Sequence, residues 1–402
     1  MSETAAGPAH VATVSFLASR VAPTGGFWIA LAGGTALARV AERRGLREGF
    51  GASVAAMLET VAIIGPARFG VPLTQALSAP VLGRFEARSV RFLAQFLACA
   101  AIRLAHNTLT TAFFIWVITG GLDAYAGTYD ALARRVGIEE LGDGGALVLT
   151  AAGLLGWAAF ASAVQVAVYR RGLRRWPDEP RARATPAPEP ARPARAPARF
   201  DPRAIVLAAA IAFALLLAST SWSPLAAVAA WLGVAWAVAR PEREGVATGL
   251  VLAAALSAGA LAFGLGGGLG LDVALRRAAR AALLVLVATW LRAAARAEGL
   301  REVARRALGR LRRVPAAPEA ARVLDRIGSE RRLAAAGRAL FDSLGAVPKR
   351  PLPVADAVLG WVAREAAGFR VAAPRPPSTL RARAADAALL AAAALPTLAL
   401  AV

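Results

Sequence analysis

Residues 281–313 read AALLVLVATWLRAAARAEGLREVARRALGRLRR, and this stretch decides the fold. Its first eleven residues are apolar apart from one Thr, whereas the next twenty-two contain eight Arg. An apolar helix that runs directly into an Arg-rich helix is typical of a membrane span that emerges on the cytoplasmic side, where Lys and Arg are retained. The stretch therefore predicts a membrane protein with a basic cytoplasmic extension.

The net charge of +21 is concentrated in two blocks of the chain. Residues 170–203 contain ten Arg against four acids, and residues 292–383 contain nineteen Arg and one Lys against eight acids. The other segments are strongly apolar, so the whole chain is 57% hydrophobic with a mean hydropathy of +0.52. A soluble nucleic-acid-binding protein would interleave charge with its fold, so this segregation predicts a membrane protein without a nucleic-acid partner.

The segregated pattern predicts an all-α, multi-pass protein of the bacterial cytoplasmic membrane, with about nine membrane-embedded helices. Basic loops at 39–48 and 84–91 predict that both ends of 50–83 lie on the cytoplasmic side. This segment is too short for two full crossings, and Gly65-Pro66 interrupts it. We therefore expect a broken or re-entrant helical hairpin there. Single spans are expected at 27–40, 92–119, 146–169, 204–219, 225–238, 246–265, 273–291 and 384–402.

Five segments follow from this pattern. They are an N-terminal membrane module (1–169), a cytoplasmic linker rich in Pro, Ala and Arg (170–203), a second membrane module (204–291), a cytoplasmic amphipathic helical arm (292–383) and a C-terminal membrane helix (384–402). The linker composition is typical of a flexible or polyproline-II-like chain.

The arm opens with an amphipathic helix. Its apolar residues recur from Leu300 to Leu311 at helical spacing, and Arg residues fill the other faces. One interpretation is that the arm lies on anionic lipid of the cytoplasmic leaflet; the other is that it docks in an apolar groove of a cytoplasmic partner. In either case the docking residues are Arg301, Arg305, Arg306, Arg310, Arg312 and Arg313.

Two motifs in the second half carry a resemblance to a known family. Asp201-Pro202-Arg203 opens an apolar helix, and the stretch from Glu298 to Arg313 follows another. Residues of about 200–345 thereby resemble the transmembrane coupling (T) component of energy-coupling-factor transporters. In that family Asp-Pro-Arg begins the first helix, and a stretch of the type ELxxALxxLLxPLRRL begins a long cytoplasmic arm.

The resemblance implies a role in transport. The arm of the family docks on a pair of ABC-type ATPases and transmits their motion to a substrate-binding membrane subunit. By position, the first module would take the place of that subunit. The two Ala-Arg-Gly tripeptides with which the family contacts its ATPases are absent from this sequence.

Polar residues inside the predicted spans are the candidates for chemistry. In the span 92–119 a polar stripe recurs every fourth residue from Gln95 through Cys99 to Thr111, and it must face other helices or a watery cavity. Glu59 is the natural counter-ion for Arg103. Their pairing would either fasten the hairpin to its neighbour or form a solute or ion pathway. The candidate pathway residues are Glu59, Arg68, Gln75, Arg103, His106, Asn107 and Thr111.

Several functions find no support in the sequence. The single Cys99 excludes an internal disulfide, and no second His or Cys stands at metal-ligand spacing from His106. The Gly-rich stretch 264–270 lacks the Lys of a phosphate loop, and no nucleophile–base–acid set can be assembled, so we expect neither a cofactor nor an enzyme. The leading hypothesis is a membrane component of a transport system. The alternative is a membrane scaffold whose Arg-rich arm binds a partner or anionic lipid.

Overall fold

The described part of the chain is helical throughout. The computed structural model describes residues 5–22, 25–66, 71–138, 141–177, 199–239, 245–348, 350–371, 380 and 382–400, and no β-strand occurs among them. The predicted all-α fold is confirmed. The helices are α1 (Ala6–Val21), α2 (Gly26–Arg44), α3 (Leu46–Ile64), α4 (Val71–Ala87), α5 (Phe92–Phe113, continued by a π-helix, Phe114–Thr119), α6 (Leu122–Arg135), α7 (Gly142–Arg174), α8 (Pro202–Ala218), α9 (Trp222–Ala239), α10 (Val246–Gly266), α11 (Leu271–Arg310), α12 (Ala316–Leu324), α13 (Glu330–Gly345), α14 (Pro351–Gly368) and α15 (Ala384–Ala394, continued by a 3-10 helix, Leu395–Leu400).

Five helices among the described residues are long and apolar enough to cross a membrane, by length and composition. They are α5 with its π-helical extension, α7, α9, α10 and α11. This finding is consistent with a membrane protein. Helix α8 and the C-terminal helix are apolar but shorter, so the predicted count of about nine embedded helices is not confirmed.

The five long helices differ in how far the protein itself covers them. In the most apolar window only 11% of α5 residues and 17% of α7 and α10 residues are buried within the protein, against 61% for α11. Helix α11 is central in its half of the molecule, where it packs against α8, α9 and α10. The uncovered faces of α5, α7 and α10 carry large apolar side chains, which is the arrangement expected of helices that face lipid.

The span predicted at 27–40 corresponds to helix α2 and is not confirmed. It is not among the five long apolar helices, and thirteen of its nineteen residues are buried. Helices α1, α3, α4, α7 and α14 pack around it. Other helices of the protein therefore cover most of its apolar surface.

The segment predicted as a broken hairpin forms two helices. Helix α3 ends at Gly65, where the backbone adopts a φ of +83°, and α4 begins at Val71 and packs back against α3. Glycine tolerates this positive φ without strain, so the break falls where the sequence predicted it. Arg68, one of the predicted pathway residues, lies outside the described residues.

The predicted cytoplasmic arm packs on the N-terminal helices. Helix α12 lies on α3, α13 on α1, and α14 on both α1 and α2. Arg171 at the end of α7 donates to both carboxylate oxygens of Asp356 in α14, at 2.7 and 2.6 Å. Apolar residues of the arm, such as Leu340 and Val358, share a single hydrophobic core with α1 and α2. The arm's apolar face is therefore buried against the N-terminal helices.

The predicted linker is shorter than 170–203. Helix α7 continues to Arg174, five residues beyond the predicted end of its span. At its other end Phe200 is buried and Arg199 donates to the carbonyl oxygen of Val238 at 2.9 Å. Residues 178–198, the centre of the linker, lie outside the described residues.

A sharp kink divides α11 into its apolar and basic parts. Arg296 has non-helical dihedral angles, with φ 60° and ψ 163°. On the apolar side of the kink, the Nε of Arg292 donates to the carbonyl oxygen of Ile63 at 2.7 Å, close to the end of α3. The C-terminal end of α3, whose last carbonyls lack helical partners, is thereby attached to α11.

The two halves of the chain also touch at the other end of α11. Arg277 donates to the carbonyl oxygen of Gly120 at 3.2 Å, and Thr128 donates to the carbonyl oxygen of Phe263 at 3.1 Å. Arg276 pairs with Asp272 at 2.6 Å. Arg276 and Arg277 therefore have local partners, whereas Nε and Nη2 of the buried Arg280 have no hydrogen-bond partner among the described residues.

The first prediction follows from the close packing of α4 on α2. A Cβ atom at Gly83 of α4 would overlap the carbonyl oxygen of Ala38 in α2, whereas Gly153 of α7 has open space around it. We expect Gly83→Ala to lower the free energy of unfolding by about 1–3 kcal/mol, because the added methyl group forces two packed helices apart.

The matched control for this change is Gly153→Ala. It should leave stability unchanged or raise it by about 1 kcal/mol, because Ala favours the helix over Gly. The midpoint of thermal unfolding in one mild detergent compares the two variants. Equal midpoints would contradict the packing of α4 on α2.

The second prediction concerns His10, which lies where α1 meets the arm. Its ring stacks on Phe369 with centroids 4.6 Å apart, and it is 2% exposed. Burial, together with the positive charge of Arg332, lowers the pKa of His10 to about 3. In the unfolded chain its pKa is about 6.5, so below that pH the unfolded state binds one more proton than the folded state.

Stability should therefore fall as the pH drops from about 6.5 towards 3. The contribution of His10 between pH 7 and pH 5 is about 2 kcal/mol. His10→Gln lacks this titration and should show a flatter dependence of the unfolding midpoint on pH. Parallel curves for the two proteins would mean that His10 is solvated or protonated in the folded state.

Candidate functional site

Helix α5 is polar on its buried face and apolar on its exposed face. Between Phe92 and Phe113 its buried residues are Gln95, Cys99 and Arg103. On the opposite face Leu97 is 56% exposed and Leu109 is 71% exposed. A helix of a soluble protein shows the reverse arrangement, whereas a helix between protein and lipid places its polar residues inward. For Gln95, Cys99 and Arg103, the prediction that the stripe faces other helices is confirmed.

Gln165 of α7 connects this stripe to α4. Its Oε1 accepts a hydrogen bond from Nη2 of Arg103 at 2.6 Å and one from the thiol of Cys99 at 3.4 Å. Its Nε2 donates to the hydroxyl oxygen of Ser78 at 2.6 Å, and Ser78 in turn donates to the carbonyl oxygen of Thr74. One amide thereby links α4, α5 and α7 through buried hydrogen bonds.

Other polar atoms around Gln165 are buried without a hydrogen-bond partner. Within the described part of the chain these include both amide atoms of Gln75, the hydroxyls of Ser162 and Tyr169, and Nε of Arg103. Ser162 adjoins Cys99, and Tyr169 adjoins Gln165. We call this group the polar cluster; its members are Gln75, Ser78, Cys99, Arg103, Ser162, Gln165 and Tyr169. Buried polar groups in proteins almost always have a partner, so this many unpartnered atoms together require an explanation.

Helix α2 contacts the polar cluster at Gly34, a residue that has no side chain. A Cβ atom at Gly34 would overlap the hydroxyl of Tyr169 and would lie 3.5 Å from Cβ of Gln75. Only glycine allows α2 to come this close to the Tyr169 hydroxyl. The cluster is thus enclosed by α2, α4, α5 and α7, and it is closely packed.

The structure brings together two of the predicted pathway residues, Gln75 and Arg103, in the polar cluster. Further along α5, His106, Asn107 and Thr111 are half-buried. Their side chains form no hydrogen bond with the described residues. From Arg103 to Thr111 the helix rises about 12 Å, so these three residues extend the polar stripe away from the cluster.

Glu59 corrects the predicted pairing. It is fully buried in α3, and its carboxylate accepts a hydrogen bond from Nε of Arg301 at 2.5 Å while its other oxygen contacts Nη2 of the same guanidinium. Arg103 instead donates to Gln165. The predicted Glu59–Arg103 pair is wrong because the arm folds back along α3 and supplies a nearer cation.

The Arg residues predicted to dock a partner divide into two groups. Arg301 pairs with Glu59, and Arg305 and Arg306 both pair with Glu302, at 2.7 and 2.6 Å. The other three lie at the turn after α11, where they are exposed: Arg310, Arg312 and Arg313. The first group stabilises the arm within the chain, and the second group is open to a partner.

Asp201-Pro202-Arg203 has a local structural role. The Asp201 carboxylate accepts a hydrogen bond from the backbone N–H of Arg203 at 2.8 Å and from its guanidinium at 2.8 Å, and Pro202 occupies the first helical position. This is an N-cap of α8. The backbone N–H of Asp201 donates to Asp386, which ties the start of α8 to the start of α15.

Sequence reasoning missed the contribution of α7. Ser162, Gln165 and Tyr169 are spaced three and four residues apart, so they share one face of a long apolar helix. The rule that identified the stripe on α5 would have found them. No sequence signal shows that Gln165 rather than Glu59 is the partner of Arg103, because the contact spans 62 residues.

In the described part of the chain, no group of three or more His, Cys, Asp or Glu side chains is arranged to hold a metal ion. The polar cluster offers amides, hydroxyls, a thiol and a guanidinium, but no carboxylate. It can therefore hydrogen-bond a ligand, and it carries one positive charge.

Comparison with known proteins does not indicate a function. The chain matches no protein-family model, no curated protein and no solved structure. The inference therefore rests on the side chains that the fold brings together and on their surroundings.

The third prediction follows from the buried ion pair between Glu59 and Arg301. Glu59→Gln leaves Arg301 buried without its nearest counter-charge, since the next carboxylate, Glu330, is 3.7 Å away. We expect a loss of about 3 kcal/mol in the free energy of unfolding, because an unpaired buried charge is strongly destabilising. The double variant Glu59→Leu/Arg301→Met should recover most of the loss.

Glu48→Gln is the control, because Glu48 begins the same helix and pairs with Arg44 at the surface. Its effect should stay within about 0.5 kcal/mol. Thermal midpoints of the four proteins in detergent provide the comparison. A double variant less stable than Glu59→Gln would show that Arg301 is stabilised by other contacts.

Proposed function

We propose that this chain is the membrane component of a transport system in the bacterial cytoplasmic membrane. The first half forms the solute site, and the second half resembles the coupling T subunit of energy-coupling-factor transporters. One observation carries the proposal. Helix α5 presents a polar stripe inward and apolar side chains outward, and the stripe passes through a cluster in which several buried polar atoms have no partner among the described residues. Intramembrane polar residues arranged in this way mark solute or ion pathways.

The kink in α11 supports a coupling role. Arg292, before the kink, is hydrogen-bonded to α3, and Arg301, after it, is ion-paired to the same helix. Helix α3 packs against α2 and α4, which border the polar cluster. A force on the arm would therefore pass through α3 to the helices around the proposed solute site.

The exposed turn after α11 supports a cytoplasmic partner. Arg310, Arg312 and Arg313 flank Leu311, which is 53% exposed, and Val314, which is 50% exposed. In the proposed topology this turn and the Arg-rich linker face the cytoplasm, as the distribution of Arg requires. ABC-type ATPase subunits are the partner that the family resemblance implies, and anionic lipid is an additional ligand for the same residues.

The alternative function is a membrane scaffold or assembly subunit. The close packing of Gly34 on Tyr169 favours it, because a cluster that never opens holds helices together rather than a solute. The same exposed turn would then bind a structural partner. The two functions differ in whether water reaches the polar cluster.

The fourth prediction uses Cys99, the only cysteine, as a natural probe of that access. We expect a charged, membrane-impermeant methanethiosulfonate reagent to modify Cys99 in native membranes, because a transport cycle opens the cluster to water. Cys99→Ser gives the background. Labelling of spheroplasts and of inverted vesicles identifies the side from which the cluster opens.

A matched control lies two residues away. Leu97→Cys in the Cys99→Ser background places a thiol on the exposed face of α5, which the proposal assigns to lipid. The charged reagent should leave this thiol unmodified, although it is the more exposed of the two in the folded chain. Labelling at position 97 but not at Cys99 would overturn the proposal.

Co-purification from native membranes separates the two functions further. Recovery of an ATPase with the wild type, and its loss in a variant with Arg310, Arg312 and Arg313 replaced by Gln, supports transport. A Cys99 that reacts only after denaturation, together with a stable partner other than an ATPase, supports the scaffold.

A further inference from the structure

We propose that the solute bound by the polar cluster is a small anion, either a carboxylate or an inorganic oxyanion. This inference rests on the proposed transport function and names its substrate class. Its starting point is the charge of Arg103, which is 3% exposed in a membrane-spanning helix. Among the described residues, its hydrogen-bond partner is the neutral amide of Gln165, and no carboxylate lies within 4.0 Å of it.

A comparison with Arg301 shows what is missing, although Arg280 of α11 is equally buried and also has no carboxylate within 4.0 Å among the described residues. Arg103 and Arg301 are both nearly fully buried, at 3% and 5% residue exposure. Arg301 has the carboxylate of Glu59, whereas Arg103 has only dipoles. An uncompensated charge in the membrane interior is costly, and it is retained in proteins where it serves a function. A counter-ion that arrives with the solute supplies the missing negative charge.

The unpartnered atoms of the polar cluster match an anion. Nε of Arg103 and Nε2 of Gln75 are donors without an acceptor among the described residues. The hydroxyls of Ser162 and Tyr169, which lie beside Cys99 and Gln165, are further donors. Carboxylate and oxyanion oxygens are strong acceptors for such donors. A cation would find no carboxylate in the cluster, so the donor set favours an anion.

Gln165 is a positioning residue in this arrangement. Its Oε1 is occupied by Arg103 and Cys99, and its Nε2 is occupied by Ser78. It therefore holds the guanidinium through Nη2 and leaves Nε without a protein acceptor. The close approach of Gly34 to Tyr169 limits the free volume, so the occupant is small.

The test measures how anions protect Cys99, which lies beside Arg103, from N-ethylmaleimide in native membranes of the full chain. Acetate, phosphate and sulfate are compared at constant sodium concentration with gluconate, whose polyhydroxy chain is too bulky for the cluster. We expect at least one of the three anions to slow labelling saturably, by about threefold at twice its Kd. Acetamide, the neutral isostere of acetate, should not protect, and replacing sodium by potassium should change nothing.

The Arg103→Gln variant should abolish protection, and Arg103→Lys should retain part of it because the charge remains. Protection is defined for each variant as the ratio of the Cys99 labelling rates with and without anion. This ratio is needed because replacing Arg103 also changes the reactivity of the thiol itself. Arg338→Gln, at an exposed position of α13, is the control for a general loss of positive charge. Protection that survives Arg103→Gln, or that acetamide provides equally, would overturn the assignment.

A second measurement does not depend on access to Cys99. The protecting anion should raise the unfolding midpoint of detergent-solubilised wild type and of Arg338→Gln, but not that of Arg103→Gln. If Cys99 is labelled at the same rate in every salt and no anion shifts the midpoint, the solute is not an anion while the transport proposal stands. If Cys99 is never labelled, the proposed transport function is contradicted. A shift of the unfolding midpoint that requires Arg103 would still identify an anion-binding site in that case.

Discussion

A charged or hydrogen-bonding side chain inside an apolar helix must find its partner within the protein, because neither lipid nor a hydrophobic core supplies one. The arrangement of the helices follows from this constraint. Glu59 is fully buried in α3, and Arg301 reaches it because α11 bends at Arg296 and continues along α3. The carbonyl oxygen of Ile63 at the end of the same helix is satisfied by Arg292. Helix α3 is thus attached to α11 on both sides of the bend.

The attachment of α11 to α3 determines where the arm packs. Once α11 follows α3, the next helices, α12 to α14, pack around α1, α2 and α3. The apolar stripes of the arm, which in isolation resemble a docking surface, become part of the same hydrophobic core as the N-terminal helices. Two segments that are nearly 300 residues apart in the chain thus pack together, while Arg310, Arg312 and Arg313 stay exposed at the turn after α11.

In the polar cluster, only some of the buried polar atoms have a partner within the protein. Gln165 satisfies Arg103, Cys99 and Ser78, but Gln75, Ser162 and Tyr169 keep unpartnered atoms. Buried polar atoms without a partner call for an explanation, and a bound solute is one that supplies the partners. The contrast with the fully compensated Glu59–Arg301 pair is the reason to assign a solute to this cluster. The coupling role proposed for the second half is compatible with the route from the arm through α3 to α2 and α4.

The sequence by itself determined the helical class, the long apolar helices, the break at Gly65 and the inward orientation of the polar stripe from Gln95 to Arg103. These properties depend on local composition and on spacing along one helix, which the chain displays directly. It also located two residues of the cluster, Gln75 and Arg103. The tertiary structure alone decided which partners these residues have. It paired Glu59 with Arg301 and Arg103 with Gln165, and it enclosed α2 in protein. Hydrophobicity reports that a surface is buried and charge reports that a partner is needed, but neither identifies the partner when the contact joins residues far apart in the chain.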